Sequence, residues 1–146
     1  MSVFQRLKAN IQHALNDAPR EAAKIIELQA HENFRNQSEE TGKRWAPRKK
    51  PVRKYAYRGK RKIKLSENRA ILVGVGSGQL RNSIQISKVD RKRVVFTMFE
   101  YGLYHNEGKS PQPKREFLAV RGKTRKKIRD AYIRKINKAI QKSKTR

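Results

Sequence analysis

The stretch that decides the fold reads Gly78-Gln79-Leu80-Arg81-Asn82-Ser83-Ile84, then Val94-Val95-Phe96-Thr97-Met98-Phe99, Tyr101-Gly102-Leu103-Tyr104-His105-Asn106-Glu107-Gly108 and Pro113-Lys114-Arg115-Glu116-Phe117-Leu118. Apolar sequence of the kind that forms strands is concentrated here and just upstream, whereas helix-forming and basic sequence occupies most of the rest. We therefore expect the core to be built here, from Leu80, Ile84, Ile86, Val94, Phe96 and Phe117.

Three strands are predicted around this stretch. Residues 70–75 are rich in β-branched side chains and are followed by a turn at 76–78. Apolar residues alternate with polar ones from Leu80 to Ser87, which predicts a second strand. A short connection at 90–92 joins it to a third strand at 93–99, so that the last two form an antiparallel hairpin.

Helical sequence flanks the strands on both sides. An apolar stripe over 3–15 predicts one helix, and Asn16-Asp17 with Pro19 predicts the start of a second helix that runs to about Gln37. One helical turn is expected at 101–106, ending at Gly108. The last helix is predicted from about 123 to 142, on a stripe formed by Ile128, Ala131, Tyr132, Ile136, Ala139 and Ile140.

These elements predict one α+β domain over residues 1–146. It has two N-terminal helices, an antiparallel sheet of three or four strands, and a long C-terminal helix packed on the sheet. A long basic loop is inserted before the sheet, and residues 143–146 form a basic tail.

Charge is the strongest compositional feature, because 38 Lys+Arg stand against 12 Asp+Glu. Residues 43–69, here called the basic arm, hold 13 Lys+Arg and the single acid Glu67, and residues 121–146 hold 12 Lys+Arg and the single acid Asp130. Charge at this density attracts polyanions such as nucleic acid. We expect the arm to be extended or a hairpin, and mobile in the free subunit; a solvated linker is the alternative. Its candidate polyanion-facing residues are Lys49, Lys50, Arg53, Lys54, Arg58, Lys60, Arg61 and Lys62.

Enzyme chemistry has almost no support in the sequence. There is no cysteine, no Walker-type loop and no metal-ligand spacing, so no catalytic residue, metal or cofactor is predicted. His105 and Glu107 are two residues apart and do not share a helix face. The longest apolar run, 70–75, is too short to cross a bilayer, and the first residues lack the apolar region of a signal peptide. We expect a soluble protein that is made in the cytoplasm and has no membrane partner.

Trp45 is the only tryptophan, in the segment Gly42-Lys43-Arg44-Trp45-Ala46-Pro47. We expect its large amphipathic ring to plug the domain edge or a subunit contact. Stacking on a nucleic-acid base is the alternative.

Taken in order, Phe34, the Trp45 segment, residues 78–84, residues 101–108, residues 113–118 and a C-terminal helix resemble the virion morphogenesis, or tail completion, family of tailed bacteriophages. The chain departs from the family at Gly102, where the family commonly has alanine, and in its very basic loop at 48–69.

The resemblance implies a structural virion protein, made in the host bacterial cytoplasm, that forms a tail-terminator-like ring at the head–tail neck or tail terminus. A hexamer is the expected ring, with other neck and tail-tube proteins as neighbours and DNA passing through it without sequence recognition. The candidate interface residues are Trp45, Arg81, Tyr101, Tyr104, His105 and Arg115. Two other functions stay open: a free nucleic-acid-binding protein associated with the ribosome or nucleoid, and a small basic ribonuclease toxin.

Overall fold

The structure is built around two long antiparallel helices. The computed structural model describes residues 2–46, 55–58, 60–64, 79–109 and 113–144. The helices are α1 (Val3–Asn36), α2 (Gln79–Ser83), α3 (Glu100–Glu107) and α4 (Gly122–Lys144). The strands are β1 (Tyr55–Arg58), β2 (Arg61–Lys64), β3 (Gln85–Val89) and β4 (Val94–Thr97). The α+β prediction is confirmed.

The two N-terminal helices predicted from the sequence are one continuous helix, α1, which contains Pro19 in its interior. Proline has no N–H to bond the carbonyl of Leu15, so it usually breaks a helix at a cost of about 3 kcal/mol. Here the buried face runs through the proline, because Ala18, Pro19 and Ala22 are all buried. Tertiary packing on both sides of Pro19 therefore offsets the lost hydrogen bond.

Helix α4 packs along α1 rather than on a sheet, which corrects the predicted packing. Asn10 donates a hydrogen bond to Ser143 at one end, and Glu21 lies 3.5 Å from Arg134 near the middle. At about 1.5 Å per residue α1 is roughly 50 Å long and α4 roughly 35 Å, so a small hairpin is too short to cover α4. The helix also continues through Ser143 and Lys144, the first two residues of the predicted basic tail.

The described strands form two separate antiparallel pairs, β1–β2 and β3–β4, instead of one sheet of three or four strands. The first pair lies in the basic arm, and the second contains the predicted hairpin with a bulge between Ile86 and Lys88. The predicted strand at 70–75 and turn at 76–78 lie outside the described residues. Leu80 belongs to helix α2 and not to a strand, since Leu80 and Ile84, four residues apart, also fit one face of a helix.

The core lies where the C-terminal end of α1 meets α2 and the segment before α4. Its buried members are Ala30, Phe34, Trp45, Leu80, Ile84 and Phe117. The Phe34 ring lies 5.4 Å from that of Trp45 and 4.7 Å from that of Phe117. Leu80, Ile84 and Phe117 are thereby confirmed as core, whereas Ile86, Val94 and Phe96 are half-buried because the β3–β4 pair is only partly covered.

Candidate assembly face and basic surfaces

The segment 113–121 has no regular secondary structure, and side chains from other elements bond its buried backbone. Asn106 on α3 accepts from the N–H groups of Phe117 (3.0 Å) and Leu118 (2.9 Å). Asn33 on α1 donates to the Phe117 carbonyl at 3.1 Å, and the Trp45 indole donates to the Glu116 carbonyl. Buried backbone groups without partners are costly, so these residues hold the segment in place. We call this meeting point of α1, α3, the 38–46 loop and the 113–121 segment the junction.

Arg115 is enclosed in the junction, with only 4% of its surface exposed. Its Nε donates to the Ala46 carbonyl at 3.1 Å, and its Nη1 lies 3.1 Å from His105 Nδ1. A guanidinium can only donate, so Nδ1 is the acceptor and the imidazole is neutral. Burial, followed by the charge of Arg115, lowers the pKa of His105, although a hydrogen bond with the Pro113 backbone raises it. His105 therefore orients Arg115 in this structure.

Glu40 caps helix α4 from a distant part of the chain. Its carboxylate accepts from the backbone N–H of Thr124 at 2.6 Å and of Arg121 at 2.8 Å, although it comes from the loop after α1. Burial by itself would raise the pKa of Glu40, but the hydrogen bonds from these N–H groups outweigh it and lower the pKa. A carboxylate is favoured at this end of a helix because the macrodipole is positive there.

Helix α3 has an inner and an outer face. The inner face packs into the junction, with Gly102 buried and His105 and Asn106 half-buried. A Cβ added to Gly102 would lie 2.5 Å from Leu80 Cδ1, so the glycine lets α3 approach the core closely. The outer face carries large apolar side chains that are 38–48% exposed, namely Phe99 just before the helix, Tyr101, Leu103 and Tyr104.

The outer face is acidic as well as apolar. Glu100 accepts a 2.7 Å hydrogen bond from the Tyr104 hydroxyl, and Glu107 lies 2.9 Å from Lys109. The rings of Phe99 and Tyr101 stack with centroids 5.7 Å apart. No Lys or Arg occurs from Val94 to Gly108, the longest such stretch in a chain with 38 of these residues. We call Phe99, Glu100, Tyr101, Leu103, Tyr104 and Glu107 the α3 face.

Among the helices and strands that the structure describes, helix α4 contains the most Lys and Arg residues. Among its side chains in the described ranges, Arg134 and Lys135 share Glu21, and Arg129 lies 3.7 Å from Asp130. Its other cations are exposed to solvent: Lys123, Arg125, Lys126, Lys127, Lys138, Lys142 and Lys144. Between α4 and the first half of α1 lies an open groove of about 490 Å³, lined by lysines 135, 138 and 142 and by His13, Asp17 and small apolar residues.

The described part of the basic arm includes the antiparallel β1–β2 pair. Its register places Arg58 opposite Arg61 and Tyr57 opposite Lys62. Lys49, Lys50, Arg53 and Lys54 lie outside the described residues.

The predicted interface residues fall into two groups. Trp45 and Arg115, each 4% exposed, are enclosed by their own subunit. For Trp45 this supports the domain-edge alternative over base stacking, because its ring lies in the core. Arg81, Tyr101 and Tyr104 are exposed and His105 is half-buried.

Some residues of the junction and the α3 face were not found from the sequence. Glu40 lies 84 residues from Thr124 and Asn33 lies 84 residues from Phe117, so no local spacing connects them. The sequence does contain a signal for Phe99 and Leu103, because they lie with Glu100 and Glu107 in a stretch that has no Lys or Arg.

Within the described ranges, no group of three or more His, Cys, Asp and Glu side chains is placed to hold a metal ion. In those same parts of the chain, no helix has the length and apolar character needed to span a bilayer.

A sequence model described as the phage virion morphogenesis family matches residues 1–137 of this chain. Comparison with curated proteins and with solved structures found no match. The matched range includes α1, the basic arm, the junction, the α3 face and most of α4.

Proposed function

The chain belongs to the phage virion morphogenesis family, and from that premise we propose that it forms a ring at the head–tail neck or tail terminus. In this role it completes the tail and lets DNA pass. Family membership by itself indicates a part in building the phage virion. The ring and the passage of DNA are our proposal.

The observation that carries the ring is the α3 face. A subunit with a formal charge of +26 repels its own copies least where a surface carries few cations. The α3 face has no Lys or Arg of its own, and Lys109 at its edge is paired with Glu107. Its exposed aromatic side chains are of the kind enriched at protein interfaces. Of the interface candidates found in the sequence, Tyr101 and Tyr104 belong to this face, and Arg81 is exposed.

The observation that supports DNA passage is the concentration of cations in the basic arm. Phosphate contacts bind DNA without reading its sequence, which suits a channel through which any sequence passes. In the proposed ring, Arg58, Arg61 and Lys62 of the hairpin and the lysines and arginines at 49–54 contact the phosphates. Tyr55 and Tyr57 add stacking surface.

A free nucleic-acid-binding protein is the second candidate, and the exposed cations of α4 favour it. Assembly state distinguishes the two functions. Mass photometry of the purified protein should show one closed oligomer, for which a hexamer is our expectation. A monomer at all concentrations that still binds DNA would support the second candidate and reject the ring.

The role of the arm is tested by a variant with Lys49, Lys50, Arg53 and Lys54 changed to glutamine. Binding to duplexes of unrelated sequence is measured as a function of salt. Each phosphate contact contributes about 0.9 to the slope of log affinity against log salt, so the slope should fall by up to about 3–4. The ring should persist.

The matched control removes four charges from α4, at Lys123, Lys126, Lys127 and Lys144. It alters total charge equally, so a slope change confined to the arm variant assigns DNA contact to the arm. An equal change in both variants, or an unchanged slope in the arm variant, would contradict that assignment. Cryo-electron microscopy of virions gives the same answer directly, because the arm must face the channel and not an acidic neighbour.

A further inference from the structure

We propose that the partner of the α3 face is the N-terminal tip of α1 of a second copy, so that subunits join head to tail. This inference rests on the proposed ring and names its contact. The α1 tip is defined as residues 3–8, with Val3 and Phe4 as its apolar part and Arg6 and Lys8 as its cations.

The α1 tip projects apolar surface that its own subunit leaves uncovered. Val3 is 60% exposed and Phe4 is 74% exposed. Helix α4 ends at Lys144, and Ser143 lies beside Asn10, so the tip extends beyond this contact with α4. Scattered exposed apolar residues are ordinary on protein surfaces. Val3 and Phe4, however, are adjacent at the end of a long helix, and together they form an apolar projection that we call the knob.

The tip is held as a helix and not left to fray. Ser2 Oγ accepts from the Gln5 N–H at 3.2 Å, and the Ser2 N–H donates to Gln5 Oε1 at 2.9 Å. This reciprocal capping box fixes the first turn. A fixed knob loses less conformational entropy on binding than a frayed end does.

Charge selects the α3 face as the surface that receives the knob. The first turn of α1 contains no acid, and its free N–H groups carry the positive end of the helix dipole. Arg6 and Lys8 add two positive charges beside it. The α3 face offers Glu100 and Glu107, and no Lys or Arg occurs between Val94 and Gly108. Lys109 at its edge pairs with Glu107 at 2.9 Å, which leaves the face with two carboxylates against one cation. Tip and face therefore match in both charge and apolar character, whereas two tips or two basic surfaces repel each other.

The positions of tip and face suit a closed ring. The α3 face lies on the junction at the C-terminal end of α1, because Gly102 of α3 packs against Leu80 beside Phe34. Phe4 and Phe34 are 30 residues apart on one helix, which is about 45 Å at 1.5 Å per residue. Two different complementary surfaces at opposite ends of a subunit generate heterologous contacts, which close into rings when the rotation permits.

Disulfide trapping tests the contact, because the chain has no cysteine of its own. The double variant Phe4→Cys/Tyr101→Cys is oxidised at low concentration and separated on a denaturing gel. A head-to-tail contact should produce a ladder that extends past the dimer to the ring number. Each single variant can form dimers at most. The control Leu28→Cys/Tyr101→Cys uses a residue of α1 that is 67% exposed but lies away from the tip, and it should give no ladder.

A second measurement uses Phe4→Glu, which puts an acid against the acidic α3 face. Since Phe4 is mostly exposed, the melting temperature of the subunit should stay the same, while ring formation should weaken about tenfold or more. Rings that form normally in this variant, without a ladder in the cysteine pair, would overturn the tip–face contact and leave the proposed ring standing. Absence of any ring in the unmodified protein would reject both proposals.

Discussion

The two ends of α1 belong to one helix and have opposite surroundings. At the C-terminal end, Ala30 and Phe34 are buried beneath Trp45 and Phe117. At the N-terminal end, Phe4 is mostly exposed although it has the same side chain as Phe34. Burial of apolar surface stabilises a fold by about 25 cal/mol per Å². The C-terminal end therefore contributes much more to the stability of the subunit, while the apolar surface of the N-terminal end stays exposed.

This difference shows what an apolar stripe on a helix can and cannot predict. The stripe over 3–15 and the stripe over 22–34 look alike in the sequence. Their environments differ because the core lies at one end of α1 and α4 ends beside Asn10 at the other. A stripe predicts that a helix has an apolar face, and the rest of the chain decides whether that face becomes core or interface.

The largest expected effect comes from truncating an aromatic side chain at each end. Phe117→Ala should lower the free energy of unfolding by about 3–5 kcal/mol, because Phe117 is fully buried. Phe4→Ala should change it by less than about 0.5 kcal/mol. Urea denaturation of the two variants measures both values. Equal losses would show that the N-terminal end is also part of the core. Phe96→Ala, at a half-buried position, should fall between the two.

The next effect compares two helix caps: Glu40, which lies after the C-terminal end of α1 and caps α4, and Ser2, which caps the exposed N-terminal end of α1. Glu40→Gln weakens charge-assisted hydrogen bonds from the backbone N–H groups of Thr124 in α4 and of Arg121 just before it, so it should cost about 1–2 kcal/mol at neutral pH. Ser2→Ala removes the cap of the exposed tip, where a frayed turn disturbs little else, and should cost about 0.5 kcal/mol. A larger loss for Ser2→Ala would reverse the comparison.

Glu40 also predicts how stability responds to acid. Its pKa is lower in the folded protein than the ordinary value of 4.5. The unfolded chain therefore takes up a proton at this group first as the pH falls. Its contribution to stability is complete above about pH 4.5 and is lost as the pH falls through the folded pKa. Denaturation at a series of pH values should show a shallower acid limb in Glu40→Gln than in the unmodified protein, and parallel limbs would contradict this.

An effect of similar size tests whether the two ends belong to one helix. Pro19→Ala restores a backbone N–H inside α1 and removes a ring that clashes with the preceding turn. The gain is reduced by the more flexible unfolded chain and by the lost packing of the buried ring. We expect a net stabilisation of about 1–2 kcal/mol, measured by thermal denaturation. If a new helix instead began near Asp17, proline would suit its first turn and the substitution would be neutral or destabilising.

The sequence predicted helix faces better than it predicted the connections between elements. The stripes of α4 and of the second half of α1, the helix end at Gly108 and the core residues Leu80, Ile84 and Phe117 were all predicted, because each depends on local periodicity or on one glycine. The continuous path through Pro19 was not predicted, since it depends on the tertiary burial of Ala18, Pro19 and Ala22. The prediction that α4 packs on a sheet was wrong, because an apolar stripe on a helix does not show which element will cover it.

The candidate site was predicted in part. Tyr101 and Tyr104 stood out in the resemblance and lie on the α3 face. His105 and Arg115 stood out equally, but they bond to each other within the junction. Polar residues that hold a fold together and polar residues that meet a partner look the same in a single sequence. Only the three-dimensional contacts separate them.

The last effect concerns how tightly α3 packs on the junction. Gly102→Ala gains about 1 kcal/mol of helix propensity. The new methyl group would lie 2.5 Å from Leu80 Cδ1 and 3.2 Å from the Met98 sulfur, and overpacking of this kind costs about 1–3 kcal/mol. The steric cost is the larger of the two, so we expect a net loss of about 1 kcal/mol. Gly122→Ala is the matched control, because a Cβ at Gly122 in α4 meets nothing within 4 Å.

A double variant identifies the clash as the cause. Leu80→Val shortens the side chain that the new methyl group would meet, so Gly102→Ala should cost less in the Leu80→Val background than alone. Residues in contact show coupling of about 0.5–3 kcal/mol, which chemical denaturation of the four proteins in the cycle can resolve. Additive losses would mean that α3 can move away from the core. The α3 face would then be loosely held, and a rigid contact with the α1 tip of a neighbouring subunit would lose its support.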